Sequence, residues 1–389
     1  MEKIVYEYWV SSIPGIGSKS IEKLKEWFGD ARGIYDADEK ELKNCLGDGK
    51  AEKVMVGKRK TLEQIKAEYG RLKDMGIRFV CKGEEVYPER LRRIKEAPNG
   101  LFLKGTLPTR NEWTVAVIGA RDCTEYGKYI AKTLGEFLGK QKISVISGMA
   151  RGVDGICQNA VLDAGGCSYA ILGCGVDICY PRQCMDLYEK LCVEGGVIAE
   201  YPPGTGPIMQ NFPYRNRIVS GLSDAVVVIE ARENSGTLLT AAWAKKQKKP
   251  IYVVPGRITD RLSDGCNRLL KTGAKVFLNP EEFVRDLYGM DRTAGKENER
   301  AGDCLETEIL KIDSLSQKDL IRENSMSIKG ILSNVMDFEP KNTEEILRET
   351  EAYLGKNILL RDIQIALMDL CLEGRIKQTV TGWYVKNGE

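Results

Sequence analysis

The sequence FPYRNRIVSGLSDAVVVIEARENSGTLLTAA, residues 212–242, determines how the rest of the chain is interpreted. Within it, Ala225–Ile229 is a valine-rich apolar run, which predicts a strand covered on both faces of a parallel sheet. Ser235, Gly236 and Thr237 then open a helical pattern. The first N–H groups of such a helix lack internal partners, so they favour an anion.

Two arginines precede this strand. Arg215 and Arg217 bracket Asn216 close to Pro213, which holds two guanidinium groups near the same edge of the predicted sheet. Two interpretations stay open for them. They supply fixed cations to a phosphate-binding face, or they lie on a solvated helix surface.

Apolar strand-like runs alternate with helical patterns from Thr114 to about Phe277. This alternation predicts an α/β fold, an extended Rossmann-like doubly wound sheet with ligands at the carboxyl ends of its strands. Five glycine-, serine- and arginine-rich turns follow those strands, and they favour a continuous concave anion site over simple turn chemistry. The turns are Gly119–Arg121, Ser147–Gly152, Gly173–Gly175, Ser235–Thr237 and Pro255–Arg257.

Smaller units are predicted on both sides of this sheet. Residues 1–75 read as a small helical domain of SAM or helix-hairpin-helix type, in which the hairpin Ser11–Asp30 either approaches a phosphate or is purely structural. Residues 76–290 form the Rossmann-like domain, with a loop-rich segment at Tyr87–Gly105. Residues 291–325 are a polar linker, and residues 326–389 predict a winged-helix (DML1-like) domain whose acidic first helix suits a protein-binding or regulatory role at least as well as DNA binding.

The composition excludes several classes of protein. The 389 residues carry a formal net charge of only +2, so a nucleic-acid face has to be a local patch. The chain shows neither an apolar run long enough for a membrane span nor a secretory signal, and we expect a cytoplasmic protein with reduced cysteines. It has no histidine, which excludes Ser-His-Asp, Cys-His and HExxH chemistry.

Common cofactor and metal signatures are also missing from the sequence. No turn completes GxGxxG with a downstream acid, and no GxxxxGK[ST] occurs, which disfavours dinucleotide oxidoreductases and P-loop ATPases. Cys174, Cys179 and Cys184 match no common zinc spacing. We therefore expect no cofactor and no metal. Four aspartates that flank the strands suit helix capping better than a metal cluster: Asp122, Asp154, Asp177 and Asp224.

Seven segments, in their order along the chain, resemble the DprA/Smf family of DNA-processing proteins of bacterial natural transformation. They are YPERLRRIKEAPNGLFLKG (87–105), VIGARDCTEYG (117–127), SGMARGVDG (147–155), LGCGVDICYPRQ (172–183), AEYPPGTGP (199–207), FPYRNRIVSGLSDAVVVIEARENSGTLLTAAWA (212–244) and VPGRITDRLSDGCNRLLKTGA (254–274).

This resemblance implies a non-catalytic, homodimeric protein that binds single-stranded DNA, protects incoming strands and helps to load the RecA recombinase. Aromatic side chains near the basic turns, Tyr180, Phe212 and Tyr214, are the candidates for stacking on bases. The DNA-binding residues that it implies are Arg121, Ser147, Gly148, Met149, Ala150, Arg151, Gly152, Arg182, Arg215, Asn216, Arg217, Ser235, Gly236, Thr237 and Lys271.

The chain departs from the family pattern at one place, and the DNA-binding interpretation has a principal rival besides the third possibility of a pure scaffold whose winged helix recruits partners. Cys157-Gln158 stands where the family usually has Ala-His, so a DNA contact by that histidine would be lost here, whereas a packing role could pass to glutamine. The rival is a nucleotide or N-glycosidic-bond hydrolase related to lysine-decarboxylase-like phosphoribohydrolases. Their PGGxGTxxE motif needs a glutamate, but Leu238-Leu239-Thr240 follows Gly236-Thr237.

Overall fold

The computed structural model of the protein describes residues 2–289, 332, 336, 341–354, 358–373, 375–380 and 383–386. The linker predicted at 291–325 lies outside the described residues, and the segment 326–389 is described in part. Within the described ranges, no helix is both long enough and apolar enough to cross a membrane.

A nine-stranded sheet carries the fold. Its strands are β1 (Arg78–Cys81), β2 (Gly100–Gly105), β3 (Thr114–Ile118), β4 (Ser144–Ser147), β5 (Ser168–Leu172), β6 (Gly196–Ala199), β7 (Ala225–Val228), β8 (Ile251–Val253) and β9 (Lys275–Val276). They lie in the order β1-β2-β6-β5-β4-β3-β7-β8-β9. Within this sheet β2 runs opposite to the other eight strands, which share one direction.

The order β5-β4-β3-β7-β8-β9 is that of a doubly wound sheet, with its switch point between β3 and β7. The α/β class predicted from the alternating pattern is confirmed. β3 and β7 consist almost wholly of buried valine, alanine and isoleucine, because helices cover both faces of the sheet there. Loops after β3, β4 and β7 therefore meet at one edge.

Helices pack around the sheet. They are α1 (Glu2–Ser11), α2 (Ser18–Phe28), α3 (Ala31–Asp36), α4 (Glu39–Leu46), α5 (Asp48–Lys58), α6 (Leu62–Asp74), α7 (Glu89–Arg92), α8 (Glu125–Lys140), α9 (Val153–Asp163), α10 (Met185–Glu194), α11 (Asn211–Gly221), α12 (Gly236–Lys246), α13 (Asp264–Lys271), α14 (Pro280–Tyr288), α15 (Thr343–Leu354) and α16 (Leu360–Leu372). Three further strands form a separate small sheet in the order β10 (Lys341–Asn342), β12 (Trp383–Lys386) and β11 (Ile376–Val380).

The helices α8 and α9 are in close contact at two glycines of α8. A Cβ at Gly135 would lie 2.6 Å from the Cys157 carbonyl oxygen, and one at Gly139 would lie 2.7 Å from that of Val161. Larger side chains at these two positions would push the helices apart. The glycines therefore let α8 pack closely against the middle and the end of α9.

The amino-terminal helices share a hydrophobic core with the sheet. Tyr8 of α1 makes edge-to-face contacts with Phe79 of β1 and Phe102 of β2, at centroid distances of 5.8 and 6.1 Å. The Lys25 ammonium donates to Glu7 Oε2 (2.6 Å) and to Asn99 Oδ1 (2.7 Å), which links α1, α2 and the segment before β2. The helical segment is therefore fixed to the sheet by both apolar and charged contacts.

Candidate functional site

The turn after β4, Gly148–Gly152, has a conformation that its own sequence and its neighbours impose. Met149 has a left-handed φ of 54° although it carries a side chain. Gly152 has a φ of 72°, and a Cβ there would lie 2.3 Å from two carbonyl oxygens, so this position needs glycine. The N–H of Gly148 donates to Asp154 Oδ2 (3.1 Å).

The rest of this turn offers donors. Among the described residues, the N–H groups of Ala150, Arg151 and Gly152 have no acceptor. They precede the first turn of α9, where the helix dipole also favours negative charge. A row of backbone donors at a helix start is the usual arrangement for a phosphate.

The side chain of Gln158 supports the Gly148–Gly152 turn from the protein interior. It is completely buried, and its Oε1 accepts the Met149 N–H (3.1 Å) while its Nε2 donates to Ser168 Oγ (3.1 Å) and the Tyr169 carbonyl (3.3 Å). The residue that replaces the usual family histidine is thus an internal support. This departure from the family pattern does not alter the exposed surface of the edge.

Helix α11 supports two of the predicted turns, the one after β4 (Gly148–Gly152) and the one at the start of α12 (Ser235–Thr237). Arg215 Nη1 donates to the Gly148 carbonyl (3.3 Å), and Asn216 Nδ2 donates to the Gly236 carbonyl (3.3 Å). Arg215 is only 7% exposed, and burial lowers its pKa to about 10, with nearby Arg121 lowering it further and Asp154 opposing the shift. The guanidinium remains protonated at neutral pH and lies beneath the turn as a fixed positive charge.

Arg217 is not part of the exposed site, which corrects the prediction that it contacts DNA. Its side chain is completely buried, and its Nη2 donates to both carboxylate oxygens of Glu200 (2.8 Å each) and to Ser18 Oγ (2.9 Å). Its Nε donates to the Glu96 carbonyl (3.0 Å), and its guanidinium stacks on the Tyr214 ring at 3.9 Å. The residue joins the amino-terminal helices to the sheet, so its role is structural.

The start of α12 has free hydrogen-bonding capacity. Ser235 occupies the N-cap position, but its side chain does not cap the helix and its buried Oγ has no partner among the described atoms. Thr237 Oγ1 donates to the Gly119 carbonyl (3.1 Å), which ties this helix start to the turn after β3. A Cβ on Gly236 would meet nothing within 4 Å, so α12 faces open space at this residue.

The start of α8 is already occupied by a carboxylate. Glu230, directly after β7, accepts the Thr124 N–H (2.9 Å) and the Thr124 hydroxyl. Burial raises the pKa of Glu230, and the hydrogen bonds from Thr124 oppose this shift. In a dinucleotide-binding sheet the pyrophosphate sits at the first helix N-terminus, so Glu230 closes the position that a dinucleotide would use.

Exposed cations surround this edge. Arg121 is exposed and makes no ion pair with a described residue. Arg151 Nη2 lies 3.6 Å from Asp122 Oδ1, and Arg182 is exposed on a 3-10 turn after β5. Arg257, in the turn after β8, is exposed as well. Its turn was one of the five predicted for the anion site, although the family resemblance did not add Arg257 to the DNA-binding residues.

Lys271 lies elsewhere, which corrects a second predicted site residue. β8 reaches the carboxyl edge at Val253, and α13 then runs back from Asp264 to Lys271. The next strand begins at Lys275, paired with Tyr252 of β8. Lys271 is therefore placed toward the amino ends of the strands, away from the phosphate turns.

The flanking aspartates hold loops, as Asp177 and Asp224 illustrate. Asp177 Oδ1 accepts the Gly204 N–H (3.0 Å), and Asp224 Oδ2 accepts the Thr114 N–H (3.0 Å). They are not helix N-caps, so the capping expectation was wrong in detail. Across the described part of the chain, no group of three or more metal-ligating side chains is assembled.

Together, the fold and the site define an α/β protein of the doubly wound class, whose sheet edge carries two turns with unbonded donors that one helix supports. Of the predicted residues, Ala150–Gly152, Asn216 and Ser235–Thr237 lie at this edge with Arg121 beside them, and Arg215 lies beneath it. Ser147 and Met149 are completely buried, which corrects the prediction that they contact DNA.

The family model for DNA recombination-mediator protein A matches residues 78–288, and the chain belongs to that family. The resemblance to DprA/Smf proteins is thereby confirmed. The chain is 37% identical over 204 residues to Protein Smf of Escherichia coli (strain K12), a match that covers 52% of this chain and 54% of that protein. The chain thus aligns with about half the length of that relative.

Two further comparisons involve Streptococcus pneumoniae. The chain is 35% identical over 203 residues to DNA processing protein DprA of strain ATCC BAA-255 / R6, covering 52% of this chain and 72% of that protein. The X-ray structure of DNA processing protein A (DprA) from this species matches with a TM-score of 0.64 and 28% identity. It covers 74% of this chain and 98% of that one.

Proposed function

We propose that the protein binds single-stranded DNA along the carboxyl edge of its sheet, without reading sequence. One observation carries this proposal: the edge has two groups of unbonded hydrogen-bond donors, the N–H groups of residues 150–152 and those at the start of α12. Side chains of α11 bond to both of these turns. Backbone amides and arginines of this kind bind phosphates of any sequence. Membership of a recombination-mediator family supports nucleic acid as the anionic ligand.

A single strand fits this edge better than a duplex. Tyr180 is 43% exposed and packs on Phe212 with ring centroids 5.4 Å apart. Phe212 lies in the first turn of α11, two residues before Tyr214 and three before Arg215. A supported aromatic ring beside phosphate donors can stack on an unpaired base, which a duplex does not present.

We further propose that the protein does not turn its ligand over. The buried carboxylates Asp154 and Glu230 are both used to hold backbone, at the turn after β4 and at the start of α8 respectively. A glycosidic hydrolase needs a carboxylate free to act on the substrate. These two groups are instead committed to positioning the loops.

Partners and outer domains follow from the family and remain proposals. We infer that the protein acts in the cytoplasm as a homodimer that protects incoming strands during natural transformation and helps to load RecA onto them. Residues 1–75 would form the SAM or helix-hairpin-helix type domain. The hydrogen bond from Arg217 to Ser18, in the hairpin, favours a structural role for the hairpin over a phosphate contact. The helices α15 and α16 followed by β11 and β12 support a winged-helix module.

The test is a binding titration with labelled oligothymidylate at low salt, with an equal-length duplex as competitor. We expect saturable binding to the single strand and weaker competition by the duplex. Absence of binding, or release of free base from added nucleotides, would overturn the proposal.

A further inference from the structure

An acidic helix of the carboxy-terminal part lies against the loop that leads into α12. Arg232 Nη2 is 3.3 Å from Glu349 Oε2 of α15, and Lys341 Nζ is 2.9 Å from the same oxygen. Arg232 is 33% exposed at its side chain and Glu349 is 23% exposed. The pair is therefore only partly screened by solvent.

Arg232 lies at the rim of the proposed DNA site. Its carbonyl accepts the N–H of Ser235 (3.2 Å), the N-cap of α12, so the arginine is one turn away from the free donors. A guanidinium recognises a carboxylate and a phosphodiester through the same planar hydrogen-bonding geometry. Glu349 is thus paired with an arginine that a DNA strand bound at the start of α12 would also contact.

The charge of α15 is consistent with this competition. The helix carries four glutamates, Glu344, Glu345, Glu349 and Glu351. Of these, Glu345 Oε2 accepts the Asn342 N–H, which caps the helix, and Glu344 is exposed. A negatively charged helix beside a cationic edge repels a DNA backbone in addition to occupying Arg232.

We propose that α15 forms an autoinhibitory contact: Glu349 competes with a DNA phosphate for Arg232, and the strand displaces the helix on binding. This inference rests on the proposed DNA-binding function. Because the docked state withholds a cation, the apparent affinity is lowered by the fraction of molecules that are docked. A partly exposed ion pair corresponds to a factor of about 1.4 to 5 in affinity.

The experiment uses the full chain and labelled oligothymidylate. Glu349→Gln removes the competing charge and keeps the side-chain shape, and we expect it to bind about 1.4 to 5 times more tightly than the unaltered protein. Glu344→Gln is the matched control, since it removes the same charge from the same helix away from Arg232. We expect it to bind as the unaltered protein does.

A double-mutant cycle separates the effect of the Arg232–Glu349 ion pair from a general weakening of the contact between α15 and the rest of the protein. In an Arg232→Ala background, Glu349→Gln should no longer tighten binding. Equal effects of Glu349→Gln and Glu344→Gln, no effect of either, or tightening that persists without Arg232 would each overturn the autoinhibitory contact. If the unaltered protein bound no oligothymidylate, the proposed function itself would fail instead.

Discussion

Replacing Arg217 should unfold the protein more readily and leave its DNA contacts in place. In Arg217→Met the Glu200 carboxylate, 13% exposed at its side chain, loses both of its guanidinium bonds. Ser18 and the Glu96 carbonyl lose a donor as well. Breaking a buried pair in this way costs about 3 to 5 kcal/mol.

That loss corresponds to a fall in Tm of roughly 6 to 20 °C for a domain of this size. Scanning calorimetry and urea unfolding would measure it, with Arg121→Ala as the control, because an exposed arginine without an ion-pair partner changes stability by at most about 0.5 kcal/mol. The double variant Arg217→Met, Glu200→Gln should regain part of the loss. A stable Arg217→Met protein with weakened oligonucleotide binding would refute the assignment of this arginine to the interior.

Three other changes test the supports of the site. Gly148→Ala would place a Cβ 2.7 Å from Arg215 Nη2 and 2.9 Å from Asp154 Oδ2, so we expect lower stability and weaker DNA binding, whereas Gly236→Ala meets nothing and should keep its unfolding midpoint. Gln158→Ala leaves the buried Met149 N–H without its acceptor and should lose about 1 to 3 kcal/mol in urea unfolding; unchanged stability would mean that the turn does not depend on this amide. Glu230→Gln tests a pH dependence. Burial raises the Glu230 pKa above its ordinary 4.5, so its contribution to stability is fully present below that pH and is lost as pH rises through the folded pKa. The stability of the unaltered protein relative to Glu230→Gln should therefore fall from pH 4.5 upward, and a constant difference across that range would contradict a raised pKa.

The strands around the switch point were predictable because burial on both faces leaves a clear apolar signal. β7, Ala225–Val228, ends one residue before the predicted run Ala225–Ile229, and β3 begins at Thr114, where the alternating pattern was predicted to start. β2 was not predicted, since proline and glycine at Tyr87–Gly105 resemble a loop. Its pairing of Leu103 with Ile198 depends on a strand far along the chain, which local sequence does not reveal.

The turns after β3, β4 and β7 could be predicted as neighbours because parallel strands end at one edge. The two arginines of α11 could not be separated in the same way. Arginine in a helical pattern favours solvent, and only the partners Glu200 and Ser18, distant in sequence, show that Arg217 is internal. Lys271 was predictable from topology, since a helix after a parallel strand returns toward the opposite edge.

The salt dependence of oligothymidylate binding tests the phosphate-binding edge most directly. We predict that the logarithm of affinity falls linearly with the logarithm of salt concentration, by about 0.7 per phosphate contact for a single strand. Arg121→Ala should weaken binding and flatten that slope by roughly one contact, whereas Lys271→Ala, at the opposite edge, should change neither. An unchanged slope in Arg121→Ala, or a flattened one in Lys271→Ala, would contradict the account.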